Sequence, residues 1–274
     1  MLAVTPVAAD QWLFARPAAL LGHPRLGPLL ARTFDDAAER ALIRRAERTG
    51  YDVRALERAA IAWMPRGTVY VSLGPLDVTQ VSERLWNRML SPRRRASLGP
   101  AVARTEGVIG SSVTSLLVRS DCRMAAYAET VPTLVDRILS PRSAEDPSAL
   151  LVWETRQIPA DAAPDDAPLI QTVRRLRVTV VEREGVDVSI DIDGSMPPDA
   201  ALRFQRAIAA FIRSPLGELI GAVQWMGSTA NSVRVGTNTA RIEQHVSWRV
   251  LEAVSDALRG QINWNSPRGR TSPP

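Results

Sequence analysis

His23 and His245 are the only imidazoles in the chain, so they are its natural general bases near neutral pH. A two-histidine metal site would need both rings close in space plus an acid, for which Glu243 is the nearest candidate in sequence. His23 lies in GHPRLGP, which reads as a loop or helix end, and His245 closes a strand pattern. No HExxH, GxSxG or GxGxxG accompanies either ring. A hydrolase using His245 is therefore the third-ranked reading, behind a satisfied or surface histidine in a binding protein.

Ser189, Asp191, Asp193 and Gly194 space their polar groups as the start of a calcium loop does. An EF-hand wants an acid at its first position and Glu at its twelfth, and here Ser189 and Ala200 stand there. The intervening Ile190 and Ile192 fit a strand, so the plain reading is a solvated strand face. Cys122 is alone, which excludes an intrachain disulfide and a cysteine metal site. It sits at a hairpin turn with no cationic motif to activate it. The sequence thus nominates no catalytic residue, no cofactor and no metal.

The remaining chemistry is that of arginine. All 34 basic residues are Arg, and the absence of Lys excludes Schiff-base and P-loop lysine chemistry. GC-rich codon usage is the bland cause. Arg93, Arg94 and Arg95 form a basic triplet, and Arg174 and Arg175, with Arg177 beyond, border the central hairpin. These are the candidate anion-contacting residues, suited to phosphate or anionic lipid headgroups. The competing reading is an ordinary solvated face. Little titrates between the carboxylates and the arginines, so the pI of about 10.4 reflects a flat titration curve as much as a basic field, and net charge is +5. Aromatics are 5% of residues, without RNP-like interleaving. Nucleic acid is therefore an unlikely partner.

These residues need elements to position them. The stretch LRVTVVEREGVDVSIDIDG, residues 176–194, alternates apolar and polar side chains on both sides of Glu184-Gly185. That is a β-hairpin with one dry face and one wet face, and a helical pattern follows over 199–213. Strands at 11–15, 59–64 and 68–73 and a helix from Asp77 or Thr79 to Leu90 are expected, then a loop at 91–100. A second hairpin spans 113–118 and 124–127, and Thr130 caps a helix to Leu139. Residues 150–155 are ambiguous between strand and short helix, and 159–168 (PADAAPDDAP) form a linker. Helix 216–225, strands 231–236 and 240–246, and a helix 248–258 capped by Ser247 complete the pattern. Earlier, Pro17 starts a short helix and a further helix from Asp35 or Asp36 runs to Thr49, where Gly50 stops it. Most of the seven tryptophans fall at apolar positions and read as core, with Trp264 in the tail as the exception.

The fold class expected is α+β: antiparallel β-hairpins with helices packed on one face, and an internal duplication of a hairpin-helix-hairpin-helix unit. The boundaries are an N-terminal half at 10–140, a connector at 141–170, a C-terminal half at 171–260 and a disordered tail at 261–274. No apolar run approaches the ~18 residues of a membrane span. The start, MLAVTPVAADQW, has no basic n-region or long apolar segment, so no export signal is expected within the sequence itself.

TGYDVRALERAAIAW followed by GTVYVSLGPLDVTQVSERL resembles the pattern of uncharacterised periplasmic or lipid-anchored envelope proteins of GC-rich Gram-negative bacteria. LRVTVVEREGVDVSIDIDG followed by PDAALRFQRAIAAFI is similar too, and the resemblance covers about Asp10 to Leu258. It implies a duplicated α+β fold outside the cytoplasm and carries over no site residues. On that basis the expected function is non-catalytic: a binding, scaffolding or structural protein of the cell envelope with an unknown envelope partner. The alternative is an Arg-rich binder of nucleic acid or anionic surfaces.

Overall fold

The computed structural model describes residues 9–33, 36–65, 67–130, 148–156, 173–213 and 232–258. Strand β1 (Gln11–Ala15) leads into helices α1 (Pro17–Gly22), α2 (Leu26–Thr33) and α3 (Asp36–Thr49). Strands β2 (Arg58–Met64) and β3 (Gly67–Leu73), helix α4 (Val78–Arg88) and a four-strand meander follow. The meander is β4 (Leu90–Gly99), β5 (Val102–Ile109), β6 (Ser112–Arg119) and β7 (Met124–Glu129). Next come β8 (Ala149–Thr155), β9 (Val173–Arg183), β10 (Gly185–Gly194) and helix α5 (Ala200–Ile212). The described chain closes with β11 (Ser232–Val235), β12 (Thr239–Ser247) and helix α6 (Trp248–Leu258). The protein is α+β.

All twelve strands join one antiparallel sheet in the order β11-β12-β10-β9-β8-β1-β2-β3-β7-β6-β5-β4. Strand β1 pairs with β2 on one side and with β8 on the other, Leu13 facing Ile61 and Trp153. The sheet is therefore continuous across the two halves of the chain. Three helices each build a core against it. Val81 and Leu85 of α4 pack with Leu116, Val118 and Ala125. Ala200 and Phe204 of α5 pack with Ile192 and Ala240. Trp248 and Leu251 of α6 join Leu26 of α2, Leu150 and Val186.

Local chemistry explains most boundaries. The Asp77 carboxylate accepts hydrogen bonds from the backbone N–H groups of Thr79 and Gln80, each at 3.0 Å, satisfying two orphan donors of α4. Gly50 ends α3 at φ +85°, a conformation that glycine adopts without a Cβ penalty. The expected helix starting at Thr130, the linker at 159–168, the helix at 216–225 and the tail at 261–274 lie outside the described residues.

Three expectations change. The predicted loop at 91–100 is strand β4, paired to β5 with Arg94 opposite Glu106 and Arg95 opposite Thr105. Every side chain from Leu90 to Leu98 is exposed. Period-2 alternation marks only strands with one buried face, so an edge strand wet on both faces leaves no such signal. The ambiguous segment at 150–155 is β8, in the interior of the sheet. Helix α2 follows His23, with Pro28 in its first turn where a missing N–H costs nothing.

The tryptophans correct a fourth expectation. Among those described, only Trp12 is fully buried, whereas Trp63 is 37% exposed. Two guanidinium groups lie over the Trp86 ring, Arg93 at 4.4 Å and Arg95 at 4.5 Å from the ring centroid. Trp248 stacks on His23 at 5.2 Å.

Candidate functional site

The wet face of the central hairpin continues onto β12 and forms a surface of positioned charges. Cross-strand register places Asp191 between Arg177 and Arg241, Ser189 between Thr179 and Glu243, and Asp187 between Val181 and His245. Alternation puts the three rows on one face of the sheet. The opposite faces of the same strands carry Leu176, Ile190 and Ile242 into the core. These rows line an open groove of about 500 Å³.

Its charges are engaged with one another. His245 Nδ1 is 2.7 Å from Asp187 Oδ1, and Arg183 Nε lies 3.6 Å from Asp187 Oδ2. Arg241 donates to Glu243 at 2.8 Å and sits 3.4 Å from Asp191. At the groove's inner end Arg175 pairs with Asp193 at 2.7 Å. Arg175 and Arg177 both approach Glu154 at 3.8 Å, and Arg156 approaches it at 3.7 Å. The Glu154 side chain is only 5% exposed, so three guanidinium groups offset the cost of burying its carboxylate. Arg177 also lies 5.6 Å from the Trp12 ring centroid.

Gly185 positions His245. A Cβ at Gly185 would stand 2.9 Å from His245 Cε1 and 3.0 Å from Nε2. The Cε1–Nε2 edge of the ring therefore lies close over Gly185, two residues before Asp187. Ser189 lies two residues after Asp187. The nitrogen left available by Asp187 thus points away from Ser189 and toward the row of Gly185 and Ser247. Asp187 is the hydrogen-bond partner of the ring, and neither serine is hydrogen-bonded to it among the described residues.

The two histidines are on opposite sides of the sheet. His23 Nε2 is 3.7 Å from Glu182, whose ladder partner is Val186, one residue out of phase with Asp187. His23 Nδ1 accepts hydrogen bonds from the N–H groups of Arg25 and Leu26, at 3.2 and 3.1 Å, at the start of α2. No group of three His, Cys, Asp or Glu side chains suited to a metal occurs among the described residues. Asp191 and Asp193 stand in strand β10, each paired with an arginine, and not in a loop.

The candidate anion-contacting arginines fall into two separate groups. Arg174 and Arg175 lie on β9, and Arg93, Arg94 and Arg95 on β4, eight strand spacings away, or roughly 38 Å at ~4.8 Å each. Arg95 is paired with Glu83 at 2.8 Å, and Arg93 donates to the Trp86 carbonyl at 2.9 Å. Arg94 stands 83% exposed, 4.0 Å from Glu106. Cys122 is half-buried, and burial pushes its thiol up, with Asp121 adding to the effect, which disfavours the thiolate.

Sequence reasoning missed Glu154 and Gly185. The signal for Gly185 was present as a glycine beside a strand, but it read as a turn residue. The turn is made by Glu184 at φ +21°, and Gly185 already pairs within β10.

No protein-family model matches the chain, and no curated protein matches it. Two solved structures are similar to it. Crystal form III of TP0453 has 11% identity and a TM-score of 0.46, covering 94% of this chain and 98% of that one. Crystal form IV of TP0453 has 10% identity and a TM-score of 0.45, covering 92% and 97%.

Proposed function

We propose that this is a non-catalytic binding or scaffolding protein of the bacterial cell envelope, built from two copies of one hairpin-helix-hairpin-helix unit. The support for duplication is the strand order on either side of the β1–β8 pair. Outward from that seam run β1-β2-β3-β7-β6 on one side and β8-β9-β10-β12-β11 on the other. In both, a hairpin is followed by a helix, and a later hairpin, β6–β7 or β11–β12, returns to pair with the first hairpin's second strand, with β4 and β5 added outside this correspondence. Helices α4, α5 and α6 draw their cores from one sheet face, which fits helices packed on a single side.

The observation that carries the binding reading is the groove on β9, β10 and β12. Its side chains are held in fixed cross-strand pairs, and its one imidazole is clamped by Asp187 and turned from Ser189. Pre-positioned charges of both signs suit recognition of a polar partner more than turnover. The envelope assignment rests on the pattern resemblance. Its test is localisation of the intact gene product with sequencing of the mature N-terminus. An exported or lipid-modified product is expected, and a cytosolic product would discard the envelope reading. His245→Ala should leave hydrolysis of generic esters at background, and loss of a measurable rate would promote the hydrolase reading instead.

One observation favours the second reading, an Arg-rich binder of anionic surfaces. Between Asp36 and Gly99, from the start of α3 to the end of β4, twelve arginines face seven acids. That difference equals the net charge of the whole chain, +5, so the rest of the sequence is neutral in sum.

A further inference from the structure

We propose that the corner of the sheet formed by β4, β5 and β6 docks the protein on an anionic phospholipid bilayer. Leu90 pairs with Val108, and Val108 pairs with Val113, so the three share one face in adjacent strands. Leu90 is 59% exposed and Val113 47%. The next row on that face holds Arg94, whose side chain is 83% exposed. Leu98, 50% exposed, stands near the far end of the same edge strand. Of the six large hydrophobic residues exposed among the described ones, these three and Ile43 and Trp63 lie in the N-terminal half, with all of the net charge.

This combination selects the partner. Exposed aliphatic side chains beside arginine match the headgroup boundary, where the former enter the acyl edge and guanidinium groups bind phosphate in two-pronged fashion. Nucleic acid would instead use an open aromatic platform for its bases. The aromatic residue here, Trp86, is already covered by Arg93 and Arg95. Strand addition from a protein partner is disfavoured as well. Pro92 lacks an N–H, the ladder is irregular between Leu90 and Arg94, and the arginine run repels a second copy of itself. The surface is thus left for a layer of charge, which a bilayer supplies. Docking here uses none of the β9–β10–β12 groove and does not depend on export.

The test is co-sedimentation of the full chain with vesicles of phosphatidylcholine alone and of phosphatidylcholine mixed with phosphatidylglycerol. Binding is expected to the mixed vesicles only and should fall as salt rises. Arg94→Ala should weaken it about fivefold, the effect of one interfacial cation. Leu90→Ser combined with Val113→Ser should weaken it about tenfold by removing apolar contact. Arg249→Ala, exposed on α6, should change nothing. All of these positions are exposed, and unchanged circular dichroism melts will verify folding. Equal binding to neutral vesicles, failure to bind the mixed vesicles, or indifference to Arg94→Ala would overturn the proposal. Retention on single-stranded DNA without vesicle binding would overturn it in favour of a soluble polyanion.

Discussion

The same sheet face is dry in one half of the molecule and wet in the other. Around β3, β7 and β6 it carries Val69, Val71, Leu117, Ala126 and Ala128, none more than 3% exposed. Around β9, β10 and β12 it carries Arg177, Asp191, Arg241, Ser189, Glu243, Asp187 and His245. The strand order is alike in both places, so pairing topology does not decide which side chains a face bears. Patterning does. Residues 124–128, MAAYA, are apolar on both faces, as in a strand buried on both sides. Residues 185–194 alternate strictly, as in a strand buried on one. One half is thereby committed to packing on two sides, and the other keeps a solvated surface of paired charges.

Exchanging the two patterns should break this contrast most severely. Val71→Asp would bury an unpaired carboxylate beside Leu117 and Ala126, and loss of cooperative folding is the expected outcome by thermal melt. Leu117→Ala, at a site with no exposure, should cost ~2–5 kcal/mol in denaturant unfolding. A cost below about 1 kcal/mol would mean that the dry face is less tightly packed than its burial implies. On the wet side, Gly185→Ala sets a Cβ 2.6 Å from the Val246 carbonyl oxygen and against the His245 ring. It should destabilise by ~1–3 kcal/mol and shift the His245 ring resonances in NMR as the imidazole leaves Asp187.

Asp191→Val should be milder, within about 1 kcal/mol, because its pair with Arg241 is partly solvated. If Asp191→Val instead proved as damaging as Val71→Asp, the wet face would be a structural element and not a free surface.

The smallest expected effect sharpens the comparison on the opposite face. There Tyr70 and Tyr127 pair at 6.0 Å, where the C-terminal half has Ile190 opposite Ile242. Burial pushes the Tyr127 hydroxyl well above its ordinary range, with Glu129 adding to the effect, and burial raises Tyr70 likewise. A raised folded pKa gives stability that is complete below the unfolded value of about 10 and is lost as pH rises beyond it. Tyr127→Phe should therefore flatten the alkaline decline in melting temperature while leaving the neutral value little changed. An unaltered alkaline slope would remove Tyr127 as its source.

Much of this architecture was legible in the order of residues. The hairpin at 176–194, the helix capped by Asp77, the stop at Gly50 and the strands from β1 to β3 follow from alternation, capping and glycine conformation, all of which act over a few residues. Strand β4 was illegible because neither of its faces is buried, and alternation records burial, not pairing. Strand β8 was ambiguous because ALLVWET, buried in the middle of a sheet, has no wet face to alternate with.

The groove was half legible. The acids of β10 stood out as a solvated face, but their partners lie on β9 and β12, and the arginines of β9 also meet Glu154 on β8. Arg241 is 50 residues from Asp191 in sequence and faces it directly in the ladder.

What the sequence determined by itself is the kind of each element and the sidedness of its strands, because period, caps and turns are set by neighbours along the chain. What only the tertiary structure decided is which strands meet. The β1–β8 seam, the burial of Glu154 among three arginines and the clamp of Asp187 on His245 all depend on register between distant strands. Register is chosen by the sum of side-chain packing across the whole sheet, and no short stretch of sequence carries that sum.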